Sequence, residues 1–138
     1  MKSILGRLSA IAFVSLLSFA PQVSAQEQTL HSNNSPRNCQ LIEDGEVKTT
    51  CDSFKLIEYE NLYIFSYLFN GEPIGFITSS KPFRTEGSTT AYLASQLYID
   101  GSATEIAGKG FCIIGVLANQ YQTITCQVGD FELRYNNL

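Results

Sequence analysis

Two neighbouring glutamates are the first candidates for chemistry in this sequence. Glu58 and Glu60 lie two residues apart, a spacing that places both carboxylates on one side of a β-strand. A carboxylate pair can act as general acid and base, so a carboxylate-dependent hydrolase is one interpretation. The same spacing is common at solvated strand ends, and we expect that simpler explanation here.

The single histidine, His31, falls in the polar segment 26–38, which we expect to be a flexible lead-in. In such a segment a histidine is a solvated residue. The rest of the chain then lacks the base of Ser-His-Asp and Cys-His sites and the imidazole of His-ligated zinc. We therefore expect no cofactor, no bound metal and a protein that is not an enzyme.

Four cysteines make an even set, Cys39, Cys51, Cys112 and Cys126, which favours two disulfides in an exported chain. None of them forms a C-x-x-C unit, which argues against zinc and thiol exchange. A three-residue loop over 118–120 places Cys112 opposite Cys126. A two-residue loop over 44–45 leaves Cys39 one residue out of register with Cys51, which a bulge near residue 49 or 50 repairs. We predict these two local pairs, with Cys39 to Cys126 as the alternative.

Aromatic residues form a stripe on one face of a single predicted strand: Tyr63, Phe65, Tyr67 and Phe69. Facing the interior of the sheet, they would fill the core, as aromatic strand residues usually do, and we favour this interpretation. Lining an empty interior instead, they would form a ligand-binding pocket for an apolar small molecule. Facing outward, they would be a contact patch for a protein or a glycan.

The first 25 positions of the chain that carries these residues resemble an export signal. Lys2 and Arg7 precede an apolar run over 8–19, and Val23 and Ala25 provide the small residues of a cleavage site. The run is shorter than the roughly 20 residues that span a bilayer, so we expect no stable membrane span after cleavage. We expect a signal peptide over 1–25, the lead-in over 26–38 and one domain over 39–138, secreted or periplasmic.

The predicted mature chain is acidic. It keeps seven basic and thirteen acidic residues, a net charge of −6. No basic cluster is present to replace the counterions of a nucleic acid, so we expect no nucleic-acid partner.

Short segments rich in β-branched and aromatic residues fill the domain and predict strands. The dipeptides Asp44-Gly45, Asn70-Gly71 and Asp100-Gly101 are typical of tight hairpin turns. Segments 62–69 and 111–117 are apolar on both faces, which indicates central strands or strands that also face a cavity or covering element. Segment 89–99 has helix-forming residues but precedes a hairpin turn, and we interpret it as a strand.

The sequence therefore predicts an all-β fold, a small antiparallel, meander-rich barrel or sandwich stapled by disulfides. Its function is expected to be that of an exported, non-catalytic binding or interaction module. The partner is an unknown protein, a glycan or an apolar small molecule. The alternatives are a small barrel that encloses an apolar ligand and the carboxylate hydrolase.

Overall fold

The structure is a computed structural model that describes residues 27–137. The predicted signal peptide, residues 1–25, lies outside the described residues. The described chain is all-β and contains eleven strands, which are β1 (Glu27–Asn33), β2 (Asn38–Glu43), β3 (Glu46–Thr50), β4 (Ser53–Tyr59), β5 (Leu62–Phe69), β6 (Glu72–Ser79), β7 (Arg84–Glu86), β8 (Thr89–Ile99), β9 (Ser102–Leu117), β10 (Gln120–Val128) and β11 (Phe131–Asn136).

All eleven strands belong to one antiparallel sheet. Its order is β1-β4-β5-β6-β8-β9-β10-β11-β2-β3, and the short β7 pairs with β8 beside the end of β6. Among the described residues no hydrogen-bonded pairing joins β1 to β3, so the sheet is not closed. The prediction of an antiparallel all-β fold is confirmed, and segment 89–99 is a strand.

Turn residues with left-handed backbone set the hairpins. Asp44-Gly45, Asn70-Gly71 and Asp100-Gly101 all have positive φ at both positions, as a two-residue hairpin turn requires. The Asn70-Gly71 turn fixes the register of β5 and β6 and sets Tyr67 opposite Ile74. These three turns were predicted from the sequence and are confirmed.

The two predicted disulfides are present, Cys39–Cys51 and Cys112–Cys126. The expected bulge in the first hairpin lies at Lys48, because Leu41 pairs with Thr49 and Ile42 with Val47. The β9–β10 turn has two residues, 118 and 119, rather than three. A bulge at residue 122 restores the register in which Cys112 faces Cys126.

The sheet curls so that its inner face buries the core. Phe54 of β4 stacks on Tyr135 of β11, with ring centroids 4.7 Å apart, and Tyr67 of β5 lies 4.8 Å from Phe54. Offset and edge-on ring pairs of this kind stabilise a core beyond their burial alone. The hydroxyl of Tyr67 donates a 2.9 Å hydrogen bond to the carbonyl of Ile124 in β10. Strands from both halves of the chain thus meet across one interior.

Residues 27–38 differ from the flexible lead-in that we expected over 26–38. Residues Glu27–Asn33 form β1 and pair antiparallel with β4 along most of its length. The backbone supplies these hydrogen bonds whatever the side chains, so an edge strand does not need an apolar sequence. Leu30 adds packing against the core. The folded unit therefore begins well before the predicted boundary at residue 39.

Gly75 of β6 lies opposite Ser66 of β5. A methyl group at this position would overlap the backbone carbonyl oxygen of Phe65, so only glycine permits this close approach of the two strands. We expect Gly75→Ala to lower the free energy of unfolding by about 1–3 kcal/mol, because a backbone atom cannot rotate away. Urea denaturation followed by circular dichroism, with the disulfides intact, measures the loss.

The matched control is Ser66→Ala, whose effect we expect to stay within about 0.5 kcal/mol, as for most surface substitutions. A Gly75→Ala protein as stable as this control would contradict the close approach.

Trypsin provides a direct test of the disulfide pairs, because its sites separate Cys39 from Cys51 but leave Cys112 and Cys126 on one peptide. We expect a non-reduced digest to contain peptide 38–48 linked to peptide 49–55, and peptide 110–134 bridged only to itself. Mass spectrometry before and after reduction identifies both species. Peptide 38–48 linked to peptide 110–134 would show the crossed pairing instead.

Candidate functional site

The aromatic stripe of β5 points to the inner face of the sheet. Phe65 and Tyr67 are fully buried, Phe69 is 8% exposed and Tyr63 is half-buried. Three of the four rings are packed in the core, which favours the core interpretation for them. That the stripe binds an apolar ligand stays a prediction, and Tyr63 is its most accessible member.

Tyr63 and Tyr92 form a hydroxyl pair at one end of the core, with ring centroids 5.2 Å apart. Burial raises the pKa of Tyr63, and the nearby Glu58 carboxylate and Tyr121 raise it further. Burial also raises the pKa of Tyr92, to about 12, with help from Tyr63 and Tyr121. Both phenols are therefore neutral at pH 7 and act as hydrogen-bonding groups rather than as nucleophiles.

The two candidate carboxylates do not form a pair on one strand. Glu58 is half-buried near the end of β4 and lies opposite Tyr63, whereas Glu60 is exposed in the β4–β5 turn with φ of 55°. Because the turn takes Glu60 off the strand, the alternation that would align the two side chains does not apply. The placement gives no support to a hydrolase that uses these residues.

His31 is not a solvated tail residue, which corrects the sequence interpretation. It lies in β1, is half-buried, and its Nε2 is 2.8 Å from the hydroxyl oxygen of Tyr135. Its ring centroid is 5.1 Å from that of Tyr121 and 6.2 Å from that of Phe54. Asn33 of the same strand donates to Tyr135 at 3.2 Å and to the Asn137 side chain at 2.9 Å. These contacts connect β1, an edge strand of the open sheet, to the last strand β11 and to Asn137 just after it.

A groove of about 280 Å³ runs over the outer face of the sheet, across β1, β4, β5, β6 and β8. Its lining residues are Glu27, Ser53, Lys55, Ile57, Ile64, Ser66, Leu68, Pro73 and Tyr98. This volume is close to the lower limit of small-molecule sites, roughly 300–1,000 Å³. The available sequence signal was the two-sided apolar character of segment 62–69, which left open what the second face would contact.

Register explains how the groove is organised. Lys55 pairs with Ser66, Ser66 with Gly75, and Gly75 with Tyr98, so these four residues form one row across four strands. We call them the polar row. Gly75 is buried against the Phe65 backbone and does not line the groove, so Lys55, Ser66 and Tyr98 are the residues of the row that face it. Apolar residues lie on both sides of the row: Ile57 and Ile64 on one, Leu68 and Pro73 on the other.

The polar side chains of this row have no partner within the described part of the chain. Lys55 forms no ion pair there, and neither Ser66 nor Tyr98 makes a side-chain hydrogen bond with any residue of 27–137. The row therefore presents an ammonium and two hydroxyls, all hydrogen-bond donors, inside an apolar groove.

A second apolar area lies on the outer face of β8 and β9. Phe83, Leu93 and Ile113 are each more than 40% exposed, and the rings of Phe83 and Phe111 lie 6.1 Å apart. Leu93 pairs directly with Phe111. Segment 111–117 thus has apolar residues on both faces, as its sequence indicated.

Residues 27–137 contain no cluster of three His, Cys, Asp or Glu side chains placed to hold a metal ion. They also contain no helix long and apolar enough to cross a membrane. Comparison of the chain with protein-family models, with curated proteins and with solved structures finds no match.

The position of His31 predicts a pH-dependent stability. Burial lowers the pKa of His31 below its ordinary value of 6.5, so the unfolded chain takes up this proton at a higher pH than the folded chain. The contribution is fully present above pH 6.5 and is lost as the pH falls from there through the folded pKa. We expect His31→Gln to remove this component from the plot of unfolding free energy against pH.

Urea denaturation of both proteins between neutral and mildly acidic pH isolates the effect, because the carboxylates common to both cancel in the difference. A difference between the two proteins that does not change with pH would show that His31 ionises equally in the folded and unfolded states.

Proposed function

We propose that this protein is an exported, non-catalytic binding module, secreted or periplasmic, whose ligand is a small anionic amphiphile held in the outer-face groove. Two disulfides are consistent with an oxidising environment. The observation that supports the ligand class is the polar row of donors between two apolar borders. A carboxylate, sulfate or phosphate head would bind at Lys55 and Ser66, and the apolar body would cover one border.

The apolar borders support the apolar part of this ligand. Ile57, Ile64 and Leu68 lie on the outer face of the sheet yet are only half-exposed. In an antiparallel sheet with one solvated face, these outward positions ordinarily carry polar side chains. An apolar body laid on them would be stabilised by about 25 cal/mol for each Å² of apolar surface removed from water.

Charge supports the anionic head. Lys55 is a cation without an ion-pair partner among residues 27–137, in a chain whose net charge is −4. Glu27 also lines the groove, but it lies opposite Tyr59, four residues along β4 from Lys55. Four residues of a strand span roughly 13 Å, so the backbones of Glu27 and Lys55 lie apart along the groove, and an anion can bind nearer the ammonium than the carboxylate.

The test compares decanoate and decyl sulfate with decyltrimethylammonium by isothermal titration calorimetry, all below their micelle concentrations. We expect the anionic probes to bind and the cationic probe to bind at least tenfold more weakly. Lys55→Gln should weaken decanoate binding on the order of 10- to 100-fold, the value of a hydrogen bond to a charged group. Tyr98→Phe should weaken it less, because it removes a neutral donor and keeps the ring.

The matched control is Lys48→Gln, which removes an exposed cation on β3 that is paired with Glu46 and lies outside the groove. We expect it to leave decanoate affinity unchanged. Equal binding of anionic and cationic probes, or the same affinity in the Lys55→Gln and Lys48→Gln proteins, would overturn the proposal.

A further inference from the structure

A second cavity, of about 350 Å³, lies where β1 faces the β9–β10 hairpin. Its lining residues are Leu30, His31, Asn119, Gln120, Tyr121 and Asn137. None of them lines the outer-face groove. We call this space the seam cavity, because it lies beside β1, an edge strand at which the sheet is not closed.

Local backbone features form the walls of the seam cavity. In β1, Thr29 pairs with Ile57 and His31 with Leu56, so Leu30 is the extra residue of a bulge. On the opposite wall, the hairpin turn has positive φ at Ala118 and Asn119. A bulge and a tight turn both redirect side chains from the regular alternation of a strand. Leu30 and His31 consequently line the cavity together although they are adjacent in sequence.

Apart from Leu30, the lining is polar, and it is uncharged at neutral pH. Three side-chain amides, one phenol and one imidazole surround the space, and burial lowers the pKa of His31, which keeps the imidazole neutral. Asn137 is held in place by Asn33, whose Nδ2 donates to its Oδ1 at 2.9 Å. The side-chain amides of Asn119 and Gln120 and the Tyr121 hydroxyl make no hydrogen bond with any residue of 27–137.

We propose that the seam cavity binds a neutral saccharide. Each free amide offers a donor and an acceptor side by side, which matches sugar hydroxyls, since these also donate and accept. The Tyr121 ring and the Leu30 side chain provide apolar surface for the C–H face of a sugar ring. An ionic ligand would lose its hydration here without meeting an opposite charge. A purely apolar ligand would leave the amides desolvated and unpaired.

The experiment is a ¹H–¹⁵N NMR titration of the oxidised protein with cellobiose, maltose and N,N′-diacetylchitobiose, and with sodium glucuronate as the charged comparison. We expect at least one neutral disaccharide to give saturable shift changes centred on Asn119, Gln120, Tyr121 and Asn137. Glucuronate should give none there. The absence of saturation with all three disaccharides at millimolar concentrations, or equal shifts with glucuronate, would overturn the proposal.

Two variants test the named amides. Asn119→Gly removes an amide and retains the positive φ of the turn, and Gln120→Ala removes the neighbouring exposed amide. Each should raise the dissociation constant of the bound disaccharide about two- to tenfold, because each removes one neutral hydrogen bond. The matched control is Gln127→Ala on the same strand, where the amide donates to the carbonyl of Gly129 and does not line the cavity.

Thermal unfolding of each variant verifies that it is folded before titration. Because Asn119, Gln120 and Gln127 are all exposed, we expect all three variants to melt close to the parent protein. Unchanged affinity in both cavity variants would overturn the assignment of the amides, as would an equal loss in Gln127→Ala. Binding of decanoate to the groove should be the same in all three, which separates this result from the outcome at Lys55.

Discussion

The ring cluster of Phe54, Tyr67 and Tyr135 is the contact on which the rest of the structure depends. Phe54 and Tyr67 come from adjacent strands near the start of the sheet, and Tyr135 comes from the last strand in the chain. For these rings to meet, the sheet has to curl until β4 and β5 face β10 and β11. The Tyr67 hydroxyl then finds its partner on the opposite wall, at the carbonyl of Ile124, so its burial leaves no unpaired donor.

Filling the interior with rings has a direct effect on where a ligand can bind. Larger barrels leave space inside for a ligand, but here the inner face is occupied by side chains that are fully buried. Space remains in the groove on the outer face, above the polar row, and in the seam cavity beside β1. Both candidate sites therefore lie outside the filled interior. The groove lies on the outer face of the curved sheet, and the seam cavity lies beside β1, where the sheet is not closed.

Features set by local turn chemistry could be predicted from the sequence. The Asn70-Gly71 turn was enough to align Ser66 with Gly75. Both cysteine pairs were predicted correctly, although the second depends on a shorter turn and a bulge that the sequence did not indicate. The rest of the polar row could not be found in this way. Lys55 reaches Ser66 through a turn in which the left-handed residue is Glu60, which composition does not mark as a turn former. Tyr98 reaches Gly75 through the pairing of β6 with β8, which are not joined by a tight turn.

The place of His31 could not be predicted for a related reason. Segment 26–38 has a single large apolar side chain, Leu30, and its composition is that of an unfolded tail. The contacts that order residues 27–33 come from elsewhere in the chain. They are the backbone pairing with β4 and the contact of His31 with Tyr135, more than a hundred residues away. A tertiary partner so distant in sequence leaves no periodic signal in the segment that it holds.

Both disulfides are confined to single hairpins, with separations of 12 and 14 residues. Each bridge therefore needs only its own two strands to meet before it can be oxidised. The first hairpin can close while the last strands of the chain are still unfolded, and neither thiol pair has to search the whole molecule for its partner. Of the three possible pairings of four cysteines, the native one also closes the shortest loops, and those have the lowest entropic cost of closure. Oxidation of each pair is thus compatible with a chain that has not finished folding.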